Sequence, residues 1–481
     1  MAHDRPNILW YCTDQQRFDT IGALGNPHVR TPNLDQFVEQ SVAFTHAYCQ
    51  SPICTPSRAS FLTGMYPSRV RNSRNGNGLV PAETADFLVT KALADSGYDG
   101  GLVGKLHLAT AANAQEPRVD DGYRVFDYSH APRNDWPIAE HDYARWIQEQ
   151  GHDPADVLRV PSRFGGLMVP SPERDNVPPE LHQTTWCTER AIEFINADRR
   201  ADMPWFISVN PYDPHPPYNP PWEYYRRFDP DSLPGPLFRD SDLETQDQLT
   251  RAGVDFQSES QRPEAFRAQE VQAAYFAMIE LIDAQFGRLI EALKASGQAD
   301  HTVVIFTSDH GESAGDHGLT QKGCRFFDGL TRVPLIWRWP GEFTTGLQSD
   351  ALIELTDIAP TLLEIAGLPV PEETQGRSLL HILQSDEPSK EHRDLVRSEY
   401  LDAVALPGAS RATMYRNRQW KLSLYHNHGV GELYDMQADP SEFNNLWDSE
   451  AHSDVRERLI RASLDATVMA MDPGPPRIAD F

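Results

Sequence analysis

Short apolar segments alternate with helical patterns over most of the chain. The run NILWYCTD, from Asn7 to Asp14, is apolar and bounded by Pro6 and the polar DQQR, which predicts a strand buried on both faces. Comparable runs, GGLVG, WFISVNPYDPH and TVVIFTSDHG, each follow a predicted helix. Because strands joined through helices run parallel, this order predicts an α/β protein with a large, mostly parallel sheet covered by helices on both faces.

The helices between these strands are marked by apolar periodicity and by their end signals. The first has Thr31 as its predicted N-cap and covers residues 32–41, with Pro32 in the first helical position. Further helices are predicted over residues 84–96, 185–196 and 268–295. Residues 110–179 are rich in Pro, Asp, Arg and Gly with weak periodicity, so they are predicted to form long loops over the sheet.

The pattern changes after the apolar helix DIAPTLLEIAG. Short alternating segments such as ATMYRNRQWKLSLYH and GELYDM follow, and a helix is predicted over residues 455–469. This order predicts a small C-terminal subdomain with an antiparallel sheet and a helix. We place the catalytic α/β domain at residues 1–375 and the subdomain at 376–481. No flexible Gly/Ser linker separates them, so the two parts should pack firmly together.

The amino-acid composition excludes several classes of partner. The 481 residues include 43 Lys plus Arg against 70 Asp plus Glu, a formal net charge of −27. Such an acidic surface repels nucleic acid and anionic membranes, so neither is expected as a partner. The N-terminus MAHDRPNILWYCTD has no signal-peptide pattern and no apolar run is long enough to span a bilayer, which predicts a cytoplasmic location. The 5 cysteines are too few and scattered for a disulfide framework.

Polar residues stand at the ends of the predicted parallel strands. Asp14 and Gln15 follow the first strand, Lys105 and His107 follow GGLVG, and Asp309 opens the segment after TVVIFTS. Ligands of parallel α/β sheets bind beyond the carboxyl ends of the strands. These side chains are therefore expected to converge, and an acidic protein that handles an anion must concentrate its positive charge there.

The segment CTPSRASFLTG, from Cys54 to Gly64, is the most specific motif of the chain. Its Cys-X-Pro-Ser-Arg start resembles the sulfatase family of the alkaline phosphatase superfamily. The resemblance implies an alkaline-phosphatase-like fold and oxidation of Cys54 to formylglycine by a separate formylglycine-generating enzyme. The hydrated aldehyde is then the nucleophile, and its second hydroxyl loses a proton so that sulfate is expelled. Arg58 would hold this diol or a metal-bound oxygen.

The resemblance extends to two pairs of metal ligands. Asp14 with Gln15, and Asp309 with His310, resemble the family's pairs in the branch that contains choline sulfatases and phosphonate monoester hydrolases. Together with residue 54 they imply an oxygen-rich site for a divalent cation, first of all Ca²⁺. His310 admits a softer ion, so Mn²⁺ and Mg²⁺ remain alternatives.

Cationic residues complete the implied site. Lys105 and His107 resemble the family's Lys-X-His, and side chains two apart in a strand would point to one face and grip one anion. Lys105 would bind a sulfate oxygen and His107 would take the diol proton. His215 and Lys322 resemble the His and Lys that flank the leaving-group oxygen, and His215 is the better candidate for protonating it.

Other residues are weaker candidates. Arg71 and Arg74, near Asn75, are predicted either to bind substrate at the pocket mouth or to form a solvated basic loop. His317 and the segment ELYDMQADPSEFNNL are predicted to be structural.

The leading hypothesis is hydrolysis of a sulfate monoester, R-O-SO₃⁻ plus water giving R-OH and sulfate, on a small sulfated carbohydrate. Aryl sulfate and choline sulfate are alternatives, and Trp136, Tyr143 and Trp146 would supply aromatic rings for a choline site. The resemblance and the acidic surface are compatible with a homo-oligomer.

Three rival functions use the same residues differently. A phosphonate monoester hydrolase or phosphodiesterase would share the fold, metal and nucleophile, but that branch tends to lose the Lys105 and His107 pattern. A non-catalytic binder of sulfated sugar would bind without turnover. A phosphatase with an unmodified nucleophile would keep its activity after Cys54→Ser.

Overall fold

The computed structural model describes residues 5–77, 80–111, 115–132, 137–158, 177–200, 202–385 and 391–471. The strands in these residues are β1 Asn7–Thr13, β2 Val42–Tyr48, β3 Asp99–Gly104, β4 Val125–Tyr128, β5 Trp205–Asn210, β6 Thr302–Ser308, β7 Arg332–Arg338, β8 Leu347–Glu354, β9 Val396–Leu401, β10 Arg411–Arg416, β11 Trp420–Tyr425 and β12 Val430–Asp435. The α-helices are α1 Pro32–Glu39, α2 Cys54–Thr63, α3 Pro67–Val70, α4 Ala82–Ala85, α5 Val89–Asp95, α6 Asp142–Glu149, α7 Pro154–Val157, α8 Gln183–Glu193, α9 Trp222–Tyr225, α10 Asp240–Arg251, α11 Ala268–Ala295, α12 Asp328–Thr331, α13 Ile358–Ile365, α14 Leu380–Leu383 and α15 Ser453–Met469.

Eight strands form one sheet in the order β4-β3-β5-β1-β6-β7-β2-β8. Strand β7 pairs antiparallel with β6 and β2, and the other neighbouring strands pair in parallel. The mostly parallel sheet predicted from the alternating pattern is confirmed. The pattern does not predict β2, β4 or β8, because none of them stands out as an isolated apolar run between helices.

Both faces of the large sheet are covered, as predicted. Ile8 and Trp10 of β1 belong to a core that also contains residues of α2, α5 and α13. Leu9 and Tyr11 belong to a second core with residues of α1, α8 and α11. Alternate residues of one strand thus enter opposite cores, which explains why this strand is apolar along its whole length.

The predicted start of α1 is partly wrong. The helix begins at Pro32, but the Thr31 side chain does not cap it. The Thr31 hydroxyl instead accepts from Gly22 N at 2.8 Å and donates to Asp35 at 2.9 Å. The buried carboxylate of Asp283 in α11 accepts from Leu34 N at 2.7 Å. A residue far away in the chain therefore satisfies the free N–H groups of this helix.

Two further predictions need correction. The single helix predicted over 84–96 is two helices, α4 and α5, separated by residues 86–88. The stretch 110–179 does not consist of loops alone, because it supplies the sheet strand β4 and the helices α6 and α7. Residues 112–114, 133–136 and 159–176 of that stretch lie outside the described residues. Among the described helices, none combines the length and apolar character needed to cross a bilayer.

The C-terminal strands form a second, antiparallel sheet in the order β12-β11-β10-β9, followed by α15. This sheet contacts the segments on either side of α2. Glu399 N of β9 donates to Gln50 O at 2.8 Å, and the Glu399 carboxylate accepts from Ser68 N at 2.9 Å. Asn75 N donates to Ala403 O at 2.8 Å. The boundary at residue 375 stays a prediction, but the firm packing expected of the two parts is present.

Candidate active site

The first residues of the site stand at the carboxyl ends of two adjacent strands. Thr13 of β1 pairs in register with Ser308 of β6, so Asp14 and Asp309 leave the sheet side by side. Gln15 N donates to Asp309 Oδ1 at 3.0 Å, which joins the two strand ends directly. The convergence predicted from the parallel topology is therefore present for these residues.

Cys54 reaches the same place from a helix. It is the first residue of α2, in which every residue is buried, and it is itself only 1% exposed. Its Sγ lies 3.1 Å from His310 Nε2 and 3.7 Å from Asp14 Oδ1. The N-terminal turn of α2 thus presents residue 54 to both strand ends, where the helix dipole favours negative charge.

The donor atoms fit a divalent cation. One ligand atom from each of Asp14, Cys54, Asp309 and His310 lies within 4.8 Å of all the others. The His310 Nδ1 lies 2.8 Å from Gly311 O, an acceptor, so Nδ1 carries the proton and Nε2 presents a lone pair to the cluster. Two carboxylates and one imidazole nitrogen form a donor set suited to a hard or borderline metal ion.

The side chain of Gln15 joins this cluster through its oxygen. Its Nε2 donates to the buried carboxylate of Glu312. The amide oxygen Oε1 consequently faces Lys322, whose Nζ lies 2.7 Å away. Glu312 was not predicted as part of the site, although it follows His310 by two positions in the same TSDHGE segment.

Two buried lysines bring positive charge to the cluster. Lys105 forms an ion pair with Asp14, and Lys322 Nζ lies 2.9 Å from Cys54 Sγ and 3.2 Å from His310 Nε2. Burial opposes ionisation of the Cys54 thiol, but the positive charges of Lys105 and Lys322 outweigh it, so the pKa of Cys54 lies well below its usual value. The local positive charge expected in this acidic protein is therefore found around residue 54.

The Arg58 guanidinium binds an oxygen of a proposed metal ligand. Its Nε donates to Asp309 Oδ2 at 2.8 Å and its Nη1 donates to Lys105 O at 3.0 Å. The guanidinium is buried behind the cavity and does not line it. It therefore holds Asp309 and the Lys105 main chain, which agrees with the predicted contact to a metal-bound oxygen, while a contact with the diol stays a prediction.

The strand geometry predicted for Lys105 and His107 is wrong. Strand β3 ends at Gly104, and His107 adopts φ +60°, in the left-handed region. Both side chains nevertheless line the cavity, because the turn after the strand redirects His107. Burial and the nearby Lys105 lower the pKa of His107 to about 4, so its imidazole is neutral at pH 7.

His215 also lines the cavity. Its Nδ1 lies 2.6 Å from Pro216 O and its ring packs 4.5 Å from the Tyr212 ring. Burial, with Lys322 as the next contribution, lowers the pKa of His215. Since Nδ1 faces a carbonyl acceptor, Nε2 is the ring atom available to a ligand.

These groups open into a cavity of about 340 Å³, a size suited to a small ligand. Its floor is formed by Gln15, Cys54, Lys105, His107, His215 and Lys322. Neutral polar residues around it include Asn75, Thr110, Gln257 and Gln321. His130 and Tyr212 also line the cavity, and nothing in the sequence pattern identified them or the two glutamines.

Arg71 and Arg74 do not line this cavity. Arg71 is exposed and pairs with Glu83, and Arg74 pairs with Asp402 at 2.8 Å. The alternative of a solvated basic loop agrees with these contacts. Asn75 does line the cavity, and its Oδ1 accepts from Thr55 N at 3.0 Å.

The aromatic residues considered for a choline site do not form one among the described residues. Tyr143 is buried in the core and its hydroxyl donates to Leu181 O at 2.6 Å, while Trp146 packs beside it. Trp136 lies outside the described residues. His317 is buried against the Phe327 ring at 3.9 Å and close to Asp242, which agrees with its predicted structural role.

The sheet order, the flanking helices and the donor cluster at the strand ends fit an alkaline-phosphatase-like α/β enzyme, as the structural neighbour described below also indicates. A sequence model of the sulfatase family matches residues 6–368, and a model of the C-terminal region of N-sulphoglucosamine sulphohydrolase matches residues 315–468. The chain therefore belongs to the sulfatase family of sulfuric ester hydrolases.

Individual relatives agree with this family. An arylsulfatase of Clostridium perfringens is 28% identical over 469 residues, covering 95% of this chain and 94% of its own. An N-acetylglucosamine-6-O-sulfatase of Bacteroides thetaiotaomicron is 24% identical over 519 residues, covering 95% and 85%. The crystal structure of a phosphonate monoester hydrolase of Agrobacterium radiobacter superposes with a TM-score of 0.80 at 27% identity, covering 97% and 96%.

Proposed function

We propose that this enzyme hydrolyses the sulfate monoester of a small sulfated carbohydrate to the free alcohol and sulfate. The observation that carries the proposal is the cavity floor, where Cys54 and two lysines meet and where Cys54 also belongs to a donor cluster with Asp14, Asp309 and His310. Such a floor binds an anion, stabilises charge on a transferred group and places a nucleophile beneath it.

Asp14, Gln15, Asp309 and His310 would hold the divalent cation, with Ca²⁺ as the first choice and Mn²⁺ or Mg²⁺ as alternatives. The cation would supply Lewis-acid polarisation of the sulfate group. Glu312 supports this assignment, because its hydrogen bond engages Gln15 Nε2 and leaves Oε1, which now accepts from Lys322, as the ligand atom.

Cys54 would be converted to formylglycine, whose hydrate supplies a nucleophilic hydroxyl that a thiol lacks. Lys105 and Lys322 bind the sulfate oxygens. His215 would face the leaving oxygen through Nε2, since its Nδ1 is engaged by Pro216 O. To protonate that oxygen the ring must be in its doubly protonated form, which a bound anionic substrate favours. His107 accepts a proton from residue 54, a role that suits an imidazole that is neutral at pH 7.

A carbohydrate is the preferred alcohol. Among the described residues, the polar side chains around the cavity floor include the amides of Asn75, Gln257 and Gln321 and the Thr110 hydroxyl. Amides and hydroxyls both donate and accept hydrogen bonds, as sugar hydroxyls do. The similarity to an N-acetylglucosamine-6-O-sulfatase points in the same direction.

The second candidate is hydrolysis of phosphonate monoesters or phosphate diesters. The superposition on a phosphonate monoester hydrolase favours it. The presence of both Lys105 and His107 at the cavity favours sulfate instead, because the phosphonate monoester hydrolase branch tends to lose this pair.

The test has two stages. The protein is co-expressed with a formylglycine-generating enzyme, and the mass of the peptide containing Cys54 is measured by mass spectrometry. A loss of about 18 Da, the mass change from thiol to aldehyde, is the expected result. The converted protein is then assayed on sulfated monosaccharides, aryl sulfate, choline sulfate and a phosphonate monoester. Preference for the phosphonate would replace the proposal with the second candidate, and an unmodified, inactive protein would favour the sugar-binding alternative.

A further inference from the structure

The main chain at His107 has an unusual conformation. His107 takes a left-handed φ of +60°, a conformation that residues other than glycine seldom adopt without support. Its ring packs edge-on against His130 at 4.4 Å. Among the described residues, no hydrogen-bond partner meets His107 Nδ1. No acceptor on Nδ1 therefore orients the ring, which is held by packing, by the main chain and by a hydrogen bond with the Cys54 side chain.

A single buried carboxylate binds this main chain. Glu116 Oε2 accepts from His107 N at 2.7 Å, and Oε1 accepts from Leu108 N at 2.5 Å and Ala109 N at 2.8 Å. The Tyr128 hydroxyl adds a fourth donor, at 3.0 Å from Oε2. Three successive N–H groups directed at one carboxyl group form a concave site that its two oxygens fill. Burial raises the pKa of Glu116 to about 7, so the acceptor oxygens, and not a full negative charge alone, hold the turn.

The other end of the segment is held separately. Lys105 O accepts from Arg58 Nη1 at 3.0 Å and from Asn210 Nδ2 at 2.8 Å. Lys105 therefore keeps its position through partners that do not involve Glu116. Loss of the Glu116 carboxylate would release the turn at residues 107–109 while leaving the lysine in place.

We propose that Glu116 is a positioning residue for His107, holding its left-handed turn so that the imidazole faces residue 54. The inference rests on the proposed role of His107 as a proton acceptor. Glu116 lies in the segment AQEPR, between residues predicted to be loop, and carries no sequence signal of such a role.

The first test is a double-mutant cycle on the ester that the wild-type enzyme turns over best. Glu116→Gln replaces an acceptor oxygen with an NH₂ group that cannot receive the N–H donors. We expect kcat to fall about 10- to 100-fold, with KM changed by less than about 3-fold, because a small displacement of a catalytic group is costly and Lys105 stays in place. In a His107→Gln background, Glu116→Gln should lower kcat by less than about 2-fold, because the effects of two residues that act as one unit are not additive.

The matched control is Asp121→Asn. Asp121 is also buried, lies in the same segment and accepts from the main-chain N of Tyr123 at 3.1 Å, but it has no contact with the turn at 107–109. This variant should retain wild-type kcat. If Glu116→Gln does not fold, Glu116→Asp, which keeps the charge but shortens the reach, takes its place with a smaller loss expected.

A second measurement, of the His107 ring by NMR, does not require enzymatic activity. In protein labelled with ¹³C at the histidine ring, the His107 signal should shift or broaden in Glu116→Gln and remain unchanged in Asp121→Asn. An unchanged His107 signal, or an equal loss of kcat in both backgrounds, would overturn the proposal. A wild-type enzyme without activity would contradict the proposed function, and the ring signal would still decide the role of Glu116.

Discussion

The amide of Gln15 donates to the carboxylate of Glu312, and this hydrogen bond decides which atom of Gln15 faces the metal-type cluster. A carboxylate in place of Gln15 would stand against the negative charge of Glu312. The glutamine at this position and the glutamate beyond it are therefore a matched pair, and neither can be changed independently.

The hydrogen bond between Gln15 and Glu312 should affect the affinity of the site for a metal ion. Glu312→Ala frees the Gln15 amide to rotate, and affinity for Ca²⁺ should fall about 10- to 100-fold, the usual loss when a residue that orients a ligand is removed. Glu312→Gln retains an acceptor oxygen and should lose less. Titration calorimetry on the metal-free protein measures both values. Equal affinity in wild type and Glu312→Ala would contradict the proposed ligand role of Gln15.

Removing the metal should affect both activity and stability. Chelation is expected to abolish hydrolysis, and Ca²⁺ or Mn²⁺ should restore it. Because the cation binds the folded state, adding it at about 100 times its dissociation constant should stabilise the fold by about 2.7 kcal/mol, visible as a rise in Tm. Asp309→Asn should lose this metal-dependent rise. Full activity in excess chelator would rule out the metal site.

Lys105 should distinguish sulfate from phosphate diesters. Lys105→Ala removes a buried cation from the cavity floor, and kcat/KM for the sulfate ester should fall about 100-fold or more, because charge stabilisation is lost in a site shielded from water. The loss on a phosphate diester should be smaller. Arg71→Ala is the matched control, since Arg71 is exposed and outside the cavity, and it should have no effect. A larger loss on the diester would favour the second candidate.

The buried carboxyl group of Asp283 should make the free energy of unfolding depend on pH. Burial raises its pKa to about 6, while its unfolded value is about 3.9. Between these values the folded state keeps a proton that the unfolded state has released, so stability should decrease as pH rises through this window. The free energy of unfolding should fall by about 3 kcal/mol across this window because of this carboxyl group. Chemical unfolding at pH 4 and pH 7 measures it, and Asp283→Asn should remove this component. A slope unchanged by the substitution would contradict the prediction.

The parts of the site that could be predicted from sequence are those that depend on local order. Asp14 and Asp309 follow apolar strands, and parallel pairing brings such strand ends together whatever lies between them. Cys54 belongs to a compact motif whose residues are consecutive. These predictions needed only the strand direction and the sequence of neighbouring residues.

The parts that were missed depend on contacts between distant segments or on unusual turns. Asp283 caps α1 from a helix far along the chain, and no rule about N-cap residues could select it over Thr31. His107 leaves the strand geometry because Glu116 stabilises a left-handed turn. Such partners become visible only when the chain is folded, since their sequence spacing carries no period or motif.

The hydrogen bonds from β9 to the segments beside α2 have a consequence for how the enzyme can be divided. Gln50 and Ser68, on either side of the nucleophile helix, are both bonded to Glu399, and Asn75 at the cavity is bonded to Ala403. A fragment ending at residue 375 would keep every proposed metal ligand and both lysines, yet it would leave these main-chain groups without their partners. The antiparallel sheet thus supports the segments that flank the nucleophile helix, and the catalytic unit includes the C-terminal subdomain as well as residues 1–375.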